Sequence, residues 1–471
     1  MAIHPIFDTD SYKASHFKQY PEGTEYVYSY IEARTGSGFD KVVFFGLQYI
    51  LKNIISLQLT LKDIEAAEAF FNFQVGIFNT DGWKYILEKH NGYLPLQIKA
   101  IPEGTVVSRG VPLITIVNTD KKCYWLTQWV ETILVRVWST INVATISYNA
   151  KLIIKEFLEK TSDVPLQTIL PSRLQDFGSR GSYCQEAAAV GGMGHLVNFA
   201  GSDTVTAIIN AQNTYNTQEM LAFSIPAAEH ATITSWGREN ECKAFENMID
   251  TFGGKVPYFA MVSDSYDLEN AIKNHIGGTL KQKIINCGSV AVIRPDSGLP
   301  QEVVVNSLKW LDEAFGSSVN SKGYKVLASC VRVIQGDGIN INSIPEILQA
   351  VVDAGYSTEN IVLGMGGGLL QQHNRDTFRF AQKCSSICIN GEWKDVQKVP
   401  ATDITKASKA GRFTHISFFD SENNIEYVEA TVTKYLESNL MPLVYDFQEG
   451  DSVPCINEFT FEEVRNNTGL W

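Results

Sequence analysis

Four short apolar runs in the middle of the chain each stop abruptly at a small, polar loop, and a helix-like stretch follows each loop. Residues 256–262 run into Ser263-Asp264-Ser265-Tyr266-Asp267, and residues 290–293 into Arg294-Pro295-Asp296-Ser297-Gly298. Residues 331–334 run into Gln335-Gly336-Asp337-Gly338, and residues 361–363 into Gly364-Met365-Gly366-Gly367-Gly368. The steps from Asp264 to Asp296, on to Asp337 and on to Gly366 are 32, 41 and 29 residues, the length of a strand–loop–helix–loop unit. Continuous apolar strands alternating with helices predict a parallel sheet buried on both faces. Polar residues at the C-terminal ends of such strands are where a β/α barrel builds its site.

The flanks read differently. Residues 26–34 have strand composition, residues 42–51 are strongly apolar, and residues 94–118 carry short β-type runs broken by glycine turns. Residues 124–160 read as largely helical, with Ile153, Phe157 and Leu158 at helical spacing. Residues 413–419 and 425–428 flank Asp420-Ser421-Glu422-Asn423-Asn424 as a hairpin would, and residues 443–447 read as a further strand. These late β elements resemble the first third of the chain. The expected architecture is an irregular β/α barrel over residues 146–404 and a discontinuous α+β domain built from residues 1–145 and 405–471.

Composition removes several classes of function. Acidic residues outnumber basic ones by 52 to 39, a net charge of −13, which argues against general binding to nucleic acid or anionic membranes. An anionic ligand would need a local basic cluster. The 8 cysteines are scattered without a CxxC pair, the pattern of reduced structural thiols. The first residues lack an apolar signal core, and no run of about 18 apolar residues occurs. The chain reads as soluble and cytoplasmic.

Candidate chemistry gathers at the loops. The glycines 366–368 follow a strand and open a helix, a setting in which backbone N–H groups converge on a phosphate. Neither a dinucleotide fingerprint nor a P-loop is present, because residue 369 is Leu and no Gly-Lys-Ser/Thr follows. A tight turn without a ligand reads equally well. Downstream, Arg375, Arg379, Lys383, Lys394, Lys398, Lys406, Lys409 and Arg412 form a basic series, either a solvated face or a polyphosphate clamp. The strand-end Asp264, Asp296 and Asp337 are expected to be neighbours on a barrel rim, able to hold a cation or sugar hydroxyls, although each alone reads as a turn or cap. Glu229 adjoins His230 and is placed to orient its ring. Asp176-Phe177-Gly178-Ser179-Arg180-Gly181 joins an aromatic, a cation and glycine freedom. Asp203, ahead of a helical stretch, reads as its N-cap.

Together these motifs resemble the nicotinamide phosphoribosyltransferase family. The resemblance also covers Asp10-Ser11-Tyr12-Lys13, Tyr26-Val27-Tyr28-Ser29-Tyr30, Phe45-Gly46-Leu47-Gln48-Tyr49-Ile50-Leu51, Pro226-Ala227-Ala228-Glu229-His230 and Gly366-Gly367-Gly368-Leu369-Leu370-Gln371, and so runs over most of the chain. It implies a type II phosphoribosyltransferase fold and a homodimer with active sites shared between subunits. The implied reaction is nicotinamide plus phosphoribosyl pyrophosphate giving nicotinamide mononucleotide and pyrophosphate, in NAD salvage.

The resemblance also assigns roles. Phe177, with Tyr12 of a partner subunit, would sandwich the pyridine ring; Asp203 would accept from the carboxamide and Arg294 donate to it. Arg180 would hold phosphate, Asp296 the ribose hydroxyls, Asp337 the ribose–pyrophosphate region, and Gly366 and Gly367 the 5′-phosphate. Arg34, Arg375, Lys383 and Lys398 would clamp pyrophosphate, partly across the dimer. His230 would be phosphorylated by ATP, with Glu229 and Asp264 orienting it and helping to hold Mg2+. Two positions depart from the family pattern: Ala260 stands where vertebrate members have a serine near the amide, and Gln175 replaces a histidine. The short connection from Arg34 to Val42 marks a compact bacterial or phage form. The competing readings are a nicotinate phosphoribosyltransferase and a sugar-phosphate-binding barrel without turnover.

Overall fold

The computed structural model describes residues 4–36, 38–402, 407–419, 425–431, 441–448 and 450–471. The chain folds as two compact units, one of Met1–Ala144, Asn213–Thr217 and His373–Leu470, the other of Thr145–Gln212, Gln218–Gln372 and Trp471. The first unit opens with β1 (Thr24–Glu32), β2 (Lys41–Val43), β3 (Leu96–Ala100), β4 (Val106–Ser108) and β5 (Pro112–Asn118). The second carries β6 (Leu174–Asp176), β7 (Tyr258–Val262), β8 (Val290–Arg294), β9 (Ser317–Val319), β10 (Lys325–Leu327), β11 (Val331–Gln335) and β12 (Ile361–Met365). The chain returns to the first unit as β13 (Ala381–Ile389), β14 (Glu392–Asp395), β15 (Phe413–Phe419), β16 (Ile425–Thr431), β17 (Leu443–Asp446) and β18 (Cys455–Ile456).

In the first unit a 7-stranded antiparallel sheet runs β14-β13-β1-β5-β3-β17-β18. β3 shows how its sequence produces it: Leu96, Ile98 and Ala100 are buried, with Gln97 and Lys99 between them, the two-residue period of a half-buried strand. Ile98 and Ile116 belong to a core that also holds Phe71, Trp83, Trp125 and Trp129. β15 and β16 pair as the expected hairpin, whose connecting residues 420–424 lie outside the described residues. The helical stretch after residue 124 is segmented into Leu126–Trp129, Glu131–Val135 and Trp138–Thr161.

The boundary at residue 405 is corrected. The first unit resumes at His373, because β13 pairs antiparallel with β1 on the side that β5 leaves open, placing Lys383 opposite Tyr30. Arg375, Lys383 and Lys398 therefore belong to the antiparallel unit and not to the barrel. Nothing local in residues 381–389 announces this partner, which lies hundreds of residues upstream.

In the second unit β6-β12-β11-β8-β7 form a 5-stranded parallel sheet. β8, Val-Ala-Val-Ile-Arg, buries Ala291, Val292 and Ile293 in succession, as a strand covered on both faces must. The sheet curls, and isolated parallel bridges continue it: Asp176 with Ser202, Gly201 with Phe223, and Ala227 with Ala260. The barrel is irregular because its last staves are single-residue bridges. Buried His195 reinforces one seam. Its Nε2 lies 3.2 Å from the Leu174 carbonyl and 3.1 Å from that of Gly201, so this nitrogen carries the hydrogen and ties β6 to the next stave. Among the described residues, no helix is long and apolar enough to cross a membrane. All 8 cysteines are free thiols.

Candidate active site

Because the barrel strands are parallel, their C-terminal ends open on one rim. The loops there enclose a cavity of about 900 Å³ within the second unit. Phe177, Arg180, Asp203, Arg294, Gly366 and Gly367 line it, together with Glu229, His230, Asp296 and Asp337. Asp264 sits behind this lining, its side chain only 6% exposed.

Phe177 follows β6, and its N–H donates to the Met365 carbonyl at 3.0 Å. Two glycines make room for its ring. A Cβ on Gly364 would lie 2.1 Å from Phe177 Cε2, and one on Gly336 would lie 3.3 Å away. Ala260, Val292 and Ile334 pack beneath, with Ile225 and Val362, so the ring rests on an apolar floor. The methyl of Ala260 belongs to this floor. Gln175 donates through Nε2 to the Ser172 carbonyl at 3.0 Å and packs on Gly201, apart from the cavity lining.

Around the ring stand polar and charged groups. The Asp203 carboxylate accepts a hydrogen bond from Ser224, fixing its direction. Its backbone lies beside the end of β6, its N–H donating to the Asp176 carbonyl at 3.0 Å. Arg294, at the end of β8, donates through Nη2 to Asp296 at 3.3 Å. Its buried Nε finds no partner among the described residues. Neighbouring Asp176 is buried and takes the Gly178 N–H at 2.8 Å. Burial, with the charge of Asp203, pushes its carboxyl up to about 6.

His230 opens the helix His230–Thr234 and is 45% exposed. Its Nε2 lies 2.9 Å from Asp264 Oδ1, and its Nδ1 faces Asp296 Oδ2 at 4.0 Å. The orienting carboxylate is therefore Asp264 and not Glu229, whose N–H instead donates to Thr232 Oγ1 at the helix start. Of the two carboxylates expected to orient the ring, Asp264 is the one in contact with it. Asp264 Oδ2 accepts from Ser297 at 2.6 Å. Burial alone would raise the Asp264 carboxyl, but the bonds from Ser297 and His230 outweigh it and hold it below the ordinary carboxylate value. Asp296 goes the other way: burial raises it, Arg294 opposes, and Asp264 and Asp337 reinforce the rise. The three aspartates are neighbours on the rim, as expected of adjacent strand ends.

A cation fits this arrangement in a limited way. Asp264 has both oxygens engaged, whereas Asp296, Asp337 and Glu229 face the cavity as oxygen donors. Among the described residues the one convergent group of three metal-type ligands is His90, Asp120 and Cys123, in the first unit. Magnesium needs no such cage, since it is commonly held by one or two carboxylates and the phosphates of its substrate.

The remaining expected residues lie in the first unit. Tyr12, on the turn Ser11–Lys18, is 60% exposed. Arg34 follows β1, and its Nε donates to the Arg379 carbonyl at 3.3 Å. Burial lowers the Lys383 ammonium, with Arg34, Lys398 and Arg375 adding like charge against the opposing pull of Glu131. The four expected clamp residues are thus electrostatic neighbours. Lys406 of the basic series lies outside the described residues. The sequence reading missed Ser297 and Ser224, which steer Asp264 and Asp203, and Asn340 in the lining. Ser297 was in view, directly after a strand-end aspartate, but a hydroxyl's partner is not visible before folding.

Residues 172–439 match the nicotinate phosphoribosyltransferase (NAPRTase) family, and residues 5–98 match the N-terminal domain of nicotinamide phosphoribosyltransferase. A nicotinamide phosphoribosyltransferase of Xanthomonas campestris pv. campestris is 50% identical over 409 residues, 87% of this chain and 86% of that protein. One from Acinetobacter baylyi is 33% identical, covering 87% of each chain. Among solved structures, nicotinate-nucleotide pyrophosphorylase from Pyrococcus furiosus superposes with a TM-score of 0.62 at 16% identity, covering 99% of this chain and 96% of that one. Human nicotinic acid phosphoribosyltransferase gives 0.55 at 15% identity over 98% and 93% of the two chains. Both structures speak to the fold alone, whereas the relatives at 50% and 33% identity speak to descent. The chain belongs to the nicotinamide phosphoribosyltransferase family.

Proposed function

We propose that the chain transfers the phosphoribosyl group of phosphoribosyl pyrophosphate to nicotinamide, giving nicotinamide mononucleotide and pyrophosphate for NAD salvage. The observation that carries this reading is the meeting of Phe177, Asp203, Arg294 and the Gly366–Gly367 turn on one cavity. An aromatic floor, an amide-reading acid and base, and a phosphate cradle match the parts of one nucleotide.

Phe177 stacks on the pyridine ring, contributing about 0.5–1.5 kcal/mol beyond area burial. Asp203 accepts from the carboxamide NH2, Arg294 donates to its carbonyl, and the Asp203 charge repels the carboxylate of nicotinate. Gly366 and Gly367 take the 5′-phosphate, Arg180 supports it, and Asp296 and Asp337 take the ribose side. At the anomeric carbon the bond to pyrophosphate breaks, its electron pair leaving with the phosphate oxygen. The pyridine nitrogen then supplies the pair for the new C–N bond. The loosened sugar is cation-like, and Asp296 and Asp337 stabilise it electrostatically. Magnesium, when bound by the cavity carboxylates and substrate phosphates, neutralises charge on the departing pyrophosphate.

A homodimer completes the site: Tyr12 of a second copy covers the other face of the base, and Arg34, Arg375, Lys383 and Lys398 clamp pyrophosphate. The exposure of Tyr12 and the crowding of those cations support this reading. ATP serves as co-substrate by phosphorylating His230, and the cavity-facing position of the ring supports that role. The direct test is incubation with phosphoribosyl pyrophosphate and magnesium, with and without ATP, on nicotinamide and nicotinate in parallel. Mononucleotide from nicotinamide, increased by ATP, is expected. Preference for nicotinate would refute the role of Asp203, and no product from either base would refute the activity.

A further inference from the structure

The site around His230 contains a relay that reaches one residue beyond the carboxylate. Both oxygens of Asp264 are committed, Oδ1 to His230 Nε2 at 2.9 Å and Oδ2 to the Ser297 hydroxyl at 2.6 Å. Asp264 comes from the loop after β7 and Ser297 from the loop after β8, so the hydroxyl pins one strand end to the next. An ionised carboxylate can only accept. The hydrogen between the two groups therefore sits on Nε2. In the neutral ring the lone pair is then on Nδ1. That nitrogen is the one turned toward Asp296, at 4.0 Å, on a ring that lines the cavity.

We propose that Ser297 is a positioning residue: by holding Asp264 it locks His230 with hydrogen on Nε2 and makes Nδ1 the atom that accepts the phosphoryl group. This inference rests on the ATP-coupled reading above. The Nδ1 lone pair forms the bond to the γ-phosphorus while the bond from that phosphorus to the bridging oxygen breaks, and the electron pair departs with ADP. No ring proton moves, because Nε2 keeps its hydrogen and the imidazolium that forms remains paired with Asp264. In the second, hydrolytic half, water attacks phosphorus, the N–P electron pair returns to Nδ1, and a proton is released to solvent with the phosphate. Without the Ser297 hydroxyl, Asp264 is free to turn about its side chain, and the imidazole can flip to present Nε2.

The test uses the full chain labelled with γ-32P ATP and magnesium, digested in alkali, with the two phosphohistidine isomers separated by chromatography. The wild type is expected to carry the Nδ1 isomer. Ser297→Ala is expected to form phosphoenzyme about tenfold more slowly, the usual consequence of losing a hydrogen bond to a charged group, and to yield the Nε2 isomer as well. Ser297→Thr, which keeps the hydroxyl, is expected to restore both rate and isomer. A purely structural role for Ser297 would not change which nitrogen is labelled. The Nε2 isomer in the wild type overturns the inference while leaving ATP coupling intact, and so does Ser297→Ala labelled at wild-type rate on Nδ1 alone. Absence of label on His230 in the wild type overturns the coupling and the inference with it. The wild-type isomer needs no variant, so a misfolded Ser297→Ala leaves the inference open to refutation.

Discussion

The parallel unit sets Asp264, Asp296 and Asp337 on neighbouring strand ends, whereas the antiparallel unit crowds Arg34, Arg375, Lys383 and Lys398 beside β1 and β13. The two clusters handle like charge differently. Two of the carboxylates are individually engaged, Asp264 by Ser297 and His230, and Asp296 by Arg294. The cations are less uniformly held: Arg375 pairs with Asp376, Arg34 donates to the Arg379 carbonyl, and burial lowers the Lys383 ammonium, with its cationic neighbours adding to the shift. A site that steadies a cation-like sugar needs anions held in fixed directions. A clamp for a polyanion benefits from grouped cations, whose combined field attracts the ligand's charges. Like-charge grouping alone therefore does not reveal a role; the hydrogen bonds around it do.

Substitutions can break this contrast, and the largest effect is expected in the parallel unit. Asp296→Ala should reduce mononucleotide formation by about 10²–10³-fold, the scale of removing one preorganised electrostatic group. A wild-type turnover number in a folded variant would remove Asp296 from the site. Gly364→Ala comes next. Its new Cβ would collide with Phe177 at 2.1 Å, so the ring must move. Displacement of a positioning group by about 1 Å costs on the order of 10²-fold, read here as kcat/KM for nicotinamide. Steady-state kinetics that match the wild type would show that the ring is not the platform for the base. Asp203→Asn should shift the kcat/KM ratio toward nicotinate by about tenfold, as expected when one unfavourable charge pair is removed. A product assay with both bases in competition reads this ratio, and an unchanged ratio places selectivity elsewhere.

The smallest effect sharpens the comparison through pH. The Lys383 ammonium lies below the ordinary lysine value of 10.5. Between its lowered value and 10.5 the unfolded chain binds more protons at this position, so stability rises with pH across that window. Asp264 has a dependence of the same sign, in the acid range. Its contribution is complete above the ordinary aspartate value of 3.8 and is lost as pH falls through its lowered value. Pyrophosphate binding should restore the charge on Lys383 and take up a proton in the alkaline window. Calorimetry in two buffers of different ionisation enthalpy measures that uptake, and Lys383→Met should abolish it. Uptake that persists in the variant would assign the proton to another group.

Much of the barrel was legible because its signals are local. An apolar run that ends in a polar loop and is followed by a helix can be read residue by residue, and β7, β8, β11 and β12 lie where those runs predict. The closing staves at Gly201, Ser202, Phe223 and Ala227 were not readable, since a single-residue bridge leaves no periodicity. The return at His373 was missed for a related reason: a strand's composition does not name its partner, and β1 accepts β13 from the far end of the chain.

The same division runs through the site. Residue types and spacing determined by themselves that three acids and a glycine turn would gather at the ends of parallel strands, because strand direction and loop position follow from local pattern. Tertiary structure alone decided which groups touch. Of the two carboxylates the resemblance offered, it set Asp264, 34 residues away, on the His230 ring, and it brought Ser297 onto the other carboxylate oxygen. Hydrogen bonds are directional and extend only about 3 Å, so they are settled by where neighbouring loops come to rest and not by distance along the chain.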